Sequence, residues 1–116
     1  MTLSERISGS VCILDVEGPL VVGRGGADLL ADKVRSLLQQ GRKQLIINLA
    51  GVPYMDSTGL GAMVHAYATS TRQGGAVKLL NSTKKLHDLL IITKLSTVFE
   101  SFDSEAAAVA SFREAV

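Results

Sequence analysis

Hydrophobic residues along the chain form short continuous runs that alternate with longer stretches in which they recur every three or four positions. The runs are typical of strands, because a strand covered on both faces of a sheet carries apolar side chains on both. A glycine between serines, Ser8-Gly9-Ser10, predicts a tight turn after the first strand, since glycine supplies the positive φ of hairpin turns. The pattern predicts a short strand ending near residue 7 and four more at 11–16, 45–47, 76–80 and 98–102.

The stretches with a three-to-four-residue period predict four amphipathic helices. Gly41 caps the first helix, and Gly74-Gly75 stops the second. Ser82 or Thr83 caps the third, and Asp103 or Ser104 caps the fourth. The apolar stripes consist of Ala27, Leu30, Ala31, Val34, Leu37 and Leu38 in the first helix, Leu60, Met63, Val64, Tyr67 and Ala68 in the second, Leu86, Leu89 and Leu90 in the third, and Ala106, Val109, Ala110 and Phe112 in the fourth.

The resulting order is β-β-α-β-α-β-α-β-α, which predicts an α/β fold. Strands that alternate with helices usually pair in parallel through right-handed crossovers. The first two strands are joined by a hairpin turn and therefore run antiparallel. We expect a mixed, mostly parallel sheet with an antiparallel N-terminal edge strand and helices packed on it.

Length and charge narrow the classes of function. The chain of 116 residues fits one domain. Twelve basic and eleven acidic residues give a net charge of +1 without a basic cluster, so we expect no direct contact with nucleic acid or membrane. Cys12 stands alone in an apolar run, which predicts a buried, inert thiol and no metal site. No stretch is long and apolar enough for a signal peptide or membrane span, and we expect a cytoplasmic protein.

The segment Val-Pro-Tyr-Met-Asp-Ser-Thr-Gly-Leu-Gly-Ala-Met, residues 52–63, is the strongest candidate for chemistry. It connects the strand at 45–47 to the second helix, a position where open α/β sheets concentrate function. Asp56 or Ser57 can cap the helix, a role that stabilises by about 1 kcal/mol. Capping leaves Gly59 and Gly61 unexplained, because each costs roughly 1 kcal/mol against alanine inside a helix. The two glycines indicate that another surface approaches the backbone closely.

Enzyme motifs fit this segment poorly. A hydrolase elbow needs Gly-x-Ser-x-Gly, but Met55 stands where the first glycine belongs. His65 lies about two turns along the same helix, too far to act as a base for Ser57, whereas spacing leaves His87 open. The aspartic-protease triplet is interrupted by an extra residue. We therefore expect no enzyme activity and no cofactor.

With the preceding Leu-Ile-Ile-Asn-Leu-Ala-Gly and the following residues 74–112, the Asp-Ser-Thr-Gly-Leu-Gly element resembles the anti-sigma factor antagonists of the STAS domain family over about residues 11–112. The resemblance implies a single STAS domain over residues 1–116. It implies that Ser57 is phosphorylated by an anti-sigma factor that is also a serine kinase, and that a serine phosphatase resets it. The unmodified protein would bind the kinase and free a sigma factor, with Asp56, Thr58, Gly59 and Gly61 contacting the partner.

Two features of residues 21–26 keep other functions open. Val21-Val22 stand where the family commonly has an acidic residue, which allows a scaffold or sensor-complex module that assembles with other STAS domains. Residues 23–26, Gly-Arg-Gly-Gly, allow a nucleotide or small-ligand loop, although the Gly-Lys-Ser/Thr ending is missing. Lys94 replaces a glycine after the third helix and is expected to adopt its left-handed conformation. We expect a monomer or weak dimer.

Overall fold

The computed structural model describes residues 2–21 and 26–113, and strands and helices alternate there in the predicted order. The strands are β1 (Thr2–Ser8), β2 (Val11–Glu17), β3 (Gln44–Gly51), β4 (Ala76–Leu80) and β5 (Ser101–Phe102). The helices are α1 (Gly26–Gln39), α2 (Ser57–Arg72), α3 (Lys84–Ile92) and α4 (Glu105–Arg113).

The strands form one sheet in the order β1-β2-β3-β4-β5. β1 pairs antiparallel with β2, and each later strand pairs in parallel with the strand before it. Gly9 has a φ of 63° in the turn between β1 and β2, as the hairpin requires. The predicted mixed sheet with an antiparallel edge strand is confirmed.

The helices divide unequally between the two faces of the sheet. Successive right-handed crossovers that advance in one direction place α1, α2 and α3 on the same face. Their buried side chains pack on alternate strand residues such as Leu14, Ile47 and Leu79, and this is the larger core. The intervening strand residues face α4 in a smaller core of Val11, Ile13, Ile46, Leu80, Ala108 and Phe112.

The last strand is shorter than predicted. Only Ser101–Phe102 pairs with β4, and a 3-10 helix, Leu95–Thr97, comes before it. The amide groups of Val98 and Phe99 both donate to the carbonyl of Leu95, so turn hydrogen bonds replace the ladder there. Phe99 then points into the larger core, where its ring meets Tyr67 edge-on at 5.4 Å between centroids.

Alanine positions on two helices were predicted on the wrong face. Ala68, Ala106 and Ala110 are exposed, whereas Ala66 and Ala108 are buried. An alanine methyl adds little to the apolar pattern, so the large neighbours decide which face packs. Ser70 is also buried in α2, and its hydroxyl donates to the Ala66 carbonyl at 2.8 Å.

Lys94 adopts the left-handed conformation expected from the sequence, with a φ of 63° immediately after α3. A side chain with a Cβ is strained in this region, and glycine is not. Lys94→Gly should therefore raise the free energy of unfolding by about 1 kcal/mol in urea titrations. Thr93 has a φ of −85°, so Thr93→Gly is the matched control and should lower it. A loss of stability in Lys94→Gly would contradict this account.

A line of polar side chains crosses the sheet on the face that carries α4. Arg6 binds both oxygens of Asp15, at 2.6 and 3.0 Å, and also both oxygens of Glu105 at the start of α4. Asn48 donates to Asp15 at 2.8 Å, and Asn81 donates to Asn48 at 3.3 Å. The line connects β1, β2 and β3 with Asn81, the residue directly after β4, and links β1 to α4.

Acid should weaken this line. The hydrogen bond from Arg6 holds the pKa of Asp15 below its usual value, and the bond from Asn48 acts in the same direction. A depressed pKa contributes stability above the unfolded value of about 3.9, and this contribution is lost as the pH falls through the folded value. Asp15→Asn should therefore flatten the acid limb of stability measured from pH 7 to pH 2. An unchanged acid limb in Asp15→Asn would reject the assignment.

Candidate functional site

Asp56 and Ser57 begin helix α2. Asp56 has extended backbone angles, and its side chain accepts a hydrogen bond from the Gly59 amide at 2.9 Å, so it is the N-cap. Ser57 is the first helical residue and is exposed, and Thr58 beside it is exposed as well. The sequence left the cap open between Asp56 and Ser57. The structure assigns it to Asp56 and leaves the Ser57 side chain on the surface.

The position of Ser57 favours a negative charge. The first turn of a helix has amide groups without helical partners and carries a partial positive charge. An anion there is stabilised by about 0.3–1 kcal/mol, against repulsion from the Asp56 carboxylate next to it. A phosphate on Ser57 is therefore compatible with the fold and changes the local surface strongly.

A neighbouring segment, residues 18–20, is hydrogen-bonded to residues 51–56, which lead into α2. The Gly18 amide donates to the Gly51 carbonyl at 2.8 Å, and the Leu20 amide donates to the Tyr54 carbonyl at 3.1 Å. Leu20 in turn accepts from the Asp56 amide at 3.1 Å. Residues 18–20 thus run parallel to residues 51–56 as an irregular continuation of β2 and β3. This pairing could not be predicted from the sequence, because nothing local in either segment signals it.

Gly59 does not lie on the surface where it was expected to contact a partner. It is buried, and a Cβ atom at this position would overlap the Leu20 carbonyl oxygen and side chain. The surface that approaches Gly59 closely is the chain's own segment 18–20. This is the physical reason for a glycine in the first turn of α2.

Gly61 differs from Gly59 in this respect. It is exposed, and nothing lies within 4 Å of the place where its Cβ would be. No described residue of the fold therefore requires a glycine there, and it still costs helix stability. The predicted partner contact at Gly61 stays a prediction.

An apolar surface lies beside the start of α2. Tyr54 is half exposed, and Lys85 from α3 holds its ammonium group 6.0 Å from the centre of the Tyr54 ring. Together with Leu89 and Ile92, these residues line a shallow groove, and Ile92 is 78% exposed. The groove combines residues from two separate segments of the chain, so no local sequence pattern indicated it.

The other candidate residues lie apart from this site or outside the described residues. Residues 22–25, with most of the glycine loop, lie outside the described residues, and Val21 is half-buried. Cys12 is buried in the larger core, and burial raises the pKa of its thiol. His65 and His87 are exposed on α2 and α3. Within residues 2–21 and 26–113, no three His, Cys, Asp or Glu residues cluster to hold a metal ion, and no helix is long and apolar enough to span a bilayer.

Residues 3–108 match the model of the STAS domain family, so the chain belongs to that family. The chain is also 40% identical to the anti-sigma-B factor antagonist of Bacillus subtilis over 74 residues, which cover 64% of this chain and 67% of that protein. It is therefore a STAS domain of the anti-sigma factor antagonist type. The resemblance noted from the sequence is confirmed.

Solved structures support the same fold. A Thermotoga maritima protein, a proposed anti-sigma factor antagonist, superposes with a TM-score of 0.89 at 24% identity and covers 96% of this chain and 94% of its own. The anti-sigma factor antagonist SpoIIAA in its unphosphorylated form gives a TM-score of 0.73 at 15% identity and covers 99% of this chain and 100% of its own. At these identities the likeness shows the fold alone.

Proposed function

We propose that the protein is a phosphorylation-switched anti-sigma factor antagonist with Ser57 as the acceptor. The observation that carries this proposal is the exposed Ser57 side chain on the first residue of α2, directly after the Asp56 cap. A protein kinase needs a hydroxyl that it can reach without unfolding its substrate, and this position offers one. The family membership supports the class of partner.

In the unmodified state the protein binds an anti-sigma factor and so releases a sigma factor. Thr58 and Gly61 are exposed on the same helix end as Ser57, and the groove beside Tyr54 offers apolar contact area next to them. A partner that covers this surface would bring its active site close to the Ser57 hydroxyl. The same contact can thus serve both recognition and phosphoryl transfer.

Phosphorylation breaks this contact locally. A phosphate adds about −1.5 to −2 charges beside the Asp56 carboxylate, which is held at the helix end by the Gly59 amide. A partner that docks there meets added bulk and repulsion, while the core of the domain is untouched. A serine phosphatase would reset the switch. The protein itself acts by binding, without a cofactor or chemistry of its own, in the cytoplasm.

Phosphoryl transfer tests the acceptor. Incubation with ATP and a lysate of the producing cells should add one phosphate, and peptide mass spectrometry should place it on Ser57. Ser57→Ala should abolish the transfer, whereas the matched variant Thr58→Ala should keep it. Equal transfer to Ser57→Ala, or none to the unaltered protein, would reject Ser57 as the acceptor.

A further inference from the structure

Strand β1 forms one edge of the sheet. All seven of its residues pair with β2, and no β1 backbone group takes part in the described hydrogen bonds outside that ladder. The strand contains neither proline nor a bulge, the features that commonly block such an edge. An edge of this kind presents a row of amide and carbonyl groups that a further strand can pair with.

The charges on β1 do not block the edge, because both are held on the faces of the sheet. The Glu5 side chain points to the face of the sheet that carries α1, α2 and α3, and it pairs with Lys33 of α1 at 3.0 Å. Arg6 points to the opposite face and is held by Asp15 and Glu105. An apolar side chain is left open beside them, since Ile7 is 50% exposed.

From these features we infer that β1 pairs antiparallel with β1 of a second copy of this chain, with Glu5 at the two-fold axis. When two copies of β1 are related by a two-fold axis perpendicular to the sheet, each residue lies opposite a residue whose side chain is on the same face. On the face that carries α1, α2 and α3, this register places Leu3 of each copy opposite Ile7 of the other copy, so two apolar pairs form. On the other face Ser4, a small residue, lies opposite Arg6 and leaves room for its ion pairs.

The charges select this register over its neighbours. With the axis at Glu5, two glutamates meet between two Lys33 side chains, so each carboxylate faces cations from both copies. An axis at Ser4 would oppose Glu5 to the apolar Leu3. An axis at Arg6 would oppose two arginines and set Glu5 against Ile7. Both alternatives lose the two Leu3–Ile7 pairs and place the Glu5 carboxylate against an apolar side chain.

The unaltered protein tests the inference first. Sedimentation velocity over a broad range of concentration should show a reversible monomer–dimer equilibrium. Hydrogen exchange of the peptide covering residues 2–8 should slow as dimer forms, because the outer amides of β1 become bonded. Exchange of the first turn of α2 should stay the same. A monomer at every concentration, or a dimer that leaves β1 exchange unchanged, would overturn the inference.

Two sets of variants test the register. Ile7→Lys places two charges against Leu3 and should weaken the dimer at least tenfold, whereas Ile92→Lys, a similar change on α3, should leave it unaltered. Glu5→Lys should also weaken the dimer about tenfold, because four cations then meet at the axis, and Glu5→Lys with Lys33→Glu should restore it. Circular dichroism confirms that each variant is folded. A double exchange that fails to restore the dimer contradicts the Glu5-centred register.

The edge is separate from the proposed phosphorylation site. β2 lies between β1 and β3, and β3 is the strand that leads into α2. The inference does not rest on the proposed function, and Ile7→Lys should accept phosphate at the same rate as the unaltered protein. Loss of the dimer with normal transfer would support both proposals independently.

Discussion

Replacing Gly59 with alanine should lower the free energy of unfolding by about 3 kcal/mol, the largest effect on stability that we expect from a single methyl group in this chain. The added Cβ would overlap the Leu20 carbonyl oxygen, which belongs to the backbone and cannot rotate away. The Leu20 amide and carbonyl are also bonded to Tyr54 and Asp56, so segment 18–20 cannot move without losing those bonds. The loss should therefore exceed the helix propensity that alanine gains.

Gly61→Ala is the matched control, because it makes the same change half a turn further along the helix. Nothing lies within 4 Å of the new methyl group, so the variant should gain about 1 kcal/mol from helix propensity. Urea titrations of both variants measure the difference directly. Equal stability of the two variants would mean that Leu20 does not press on Gly59.

The variants Gly59→Ala and Gly61→Ala also distinguish an effect on folding from an effect on partner binding. If Gly61 is kept for partner contact, Gly61→Ala should weaken binding to the anti-sigma factor while the domain itself becomes more stable. Gly59→Ala would weaken binding only through loss of structure. Titrating partner binding at a temperature where both variants remain folded distinguishes these two causes.

The sheet topology could be predicted because β2 and β3 contain continuous apolar runs, and the apolar run of β4 is interrupted only by Lys78. Residues such as Ile13, Ile46 and Leu79 are buried whichever face they occupy, so the pattern survives without knowledge of the neighbours. Gly9 and Gly41 could also be assigned to chain reversals from the sequence, because glycine readily adopts the positive φ that both residues have. The mostly parallel direction of the strands then followed from the helices that connect them.

Features that depend on distant contacts could not be predicted. Phe99 looks like a strand residue by propensity, but hydrogen bonds to Leu95 and the Tyr67 ring decide its conformation. Gly59 was interpreted as a partner contact because the segment that covers it lies almost forty positions earlier in the chain. The position of Ser57 was predictable, since a cap and a helix start are local signals.

Introducing glutamate at Ser57 should weaken binding to the anti-sigma factor by about 100-fold, the largest functional effect that we expect from a variant that keeps its fold. A partner that buries this helix end must desolvate the new carboxylate beside Asp56, and an unpaired charge in an interface costs about 2–5 kcal/mol. Isothermal titration calorimetry with the unphosphorylated anti-sigma factor measures the change.

The stability of this variant separates a local switch from a conformational one. Glutamate on the first residue of α2 gains from the helix dipole and loses from the neighbouring Asp56, so the free energy of unfolding should change by less than about 0.5 kcal/mol. Thr58→Glu carries the same charge one position further and should weaken binding as well, because Thr58 is exposed on the same helix end. Arg72→Glu, at the far end of the helix, should leave binding unaltered. Strong binding by Ser57→Glu, or weak binding together with a large loss of stability, would exclude a switch that acts by local repulsion on a fold that stays intact.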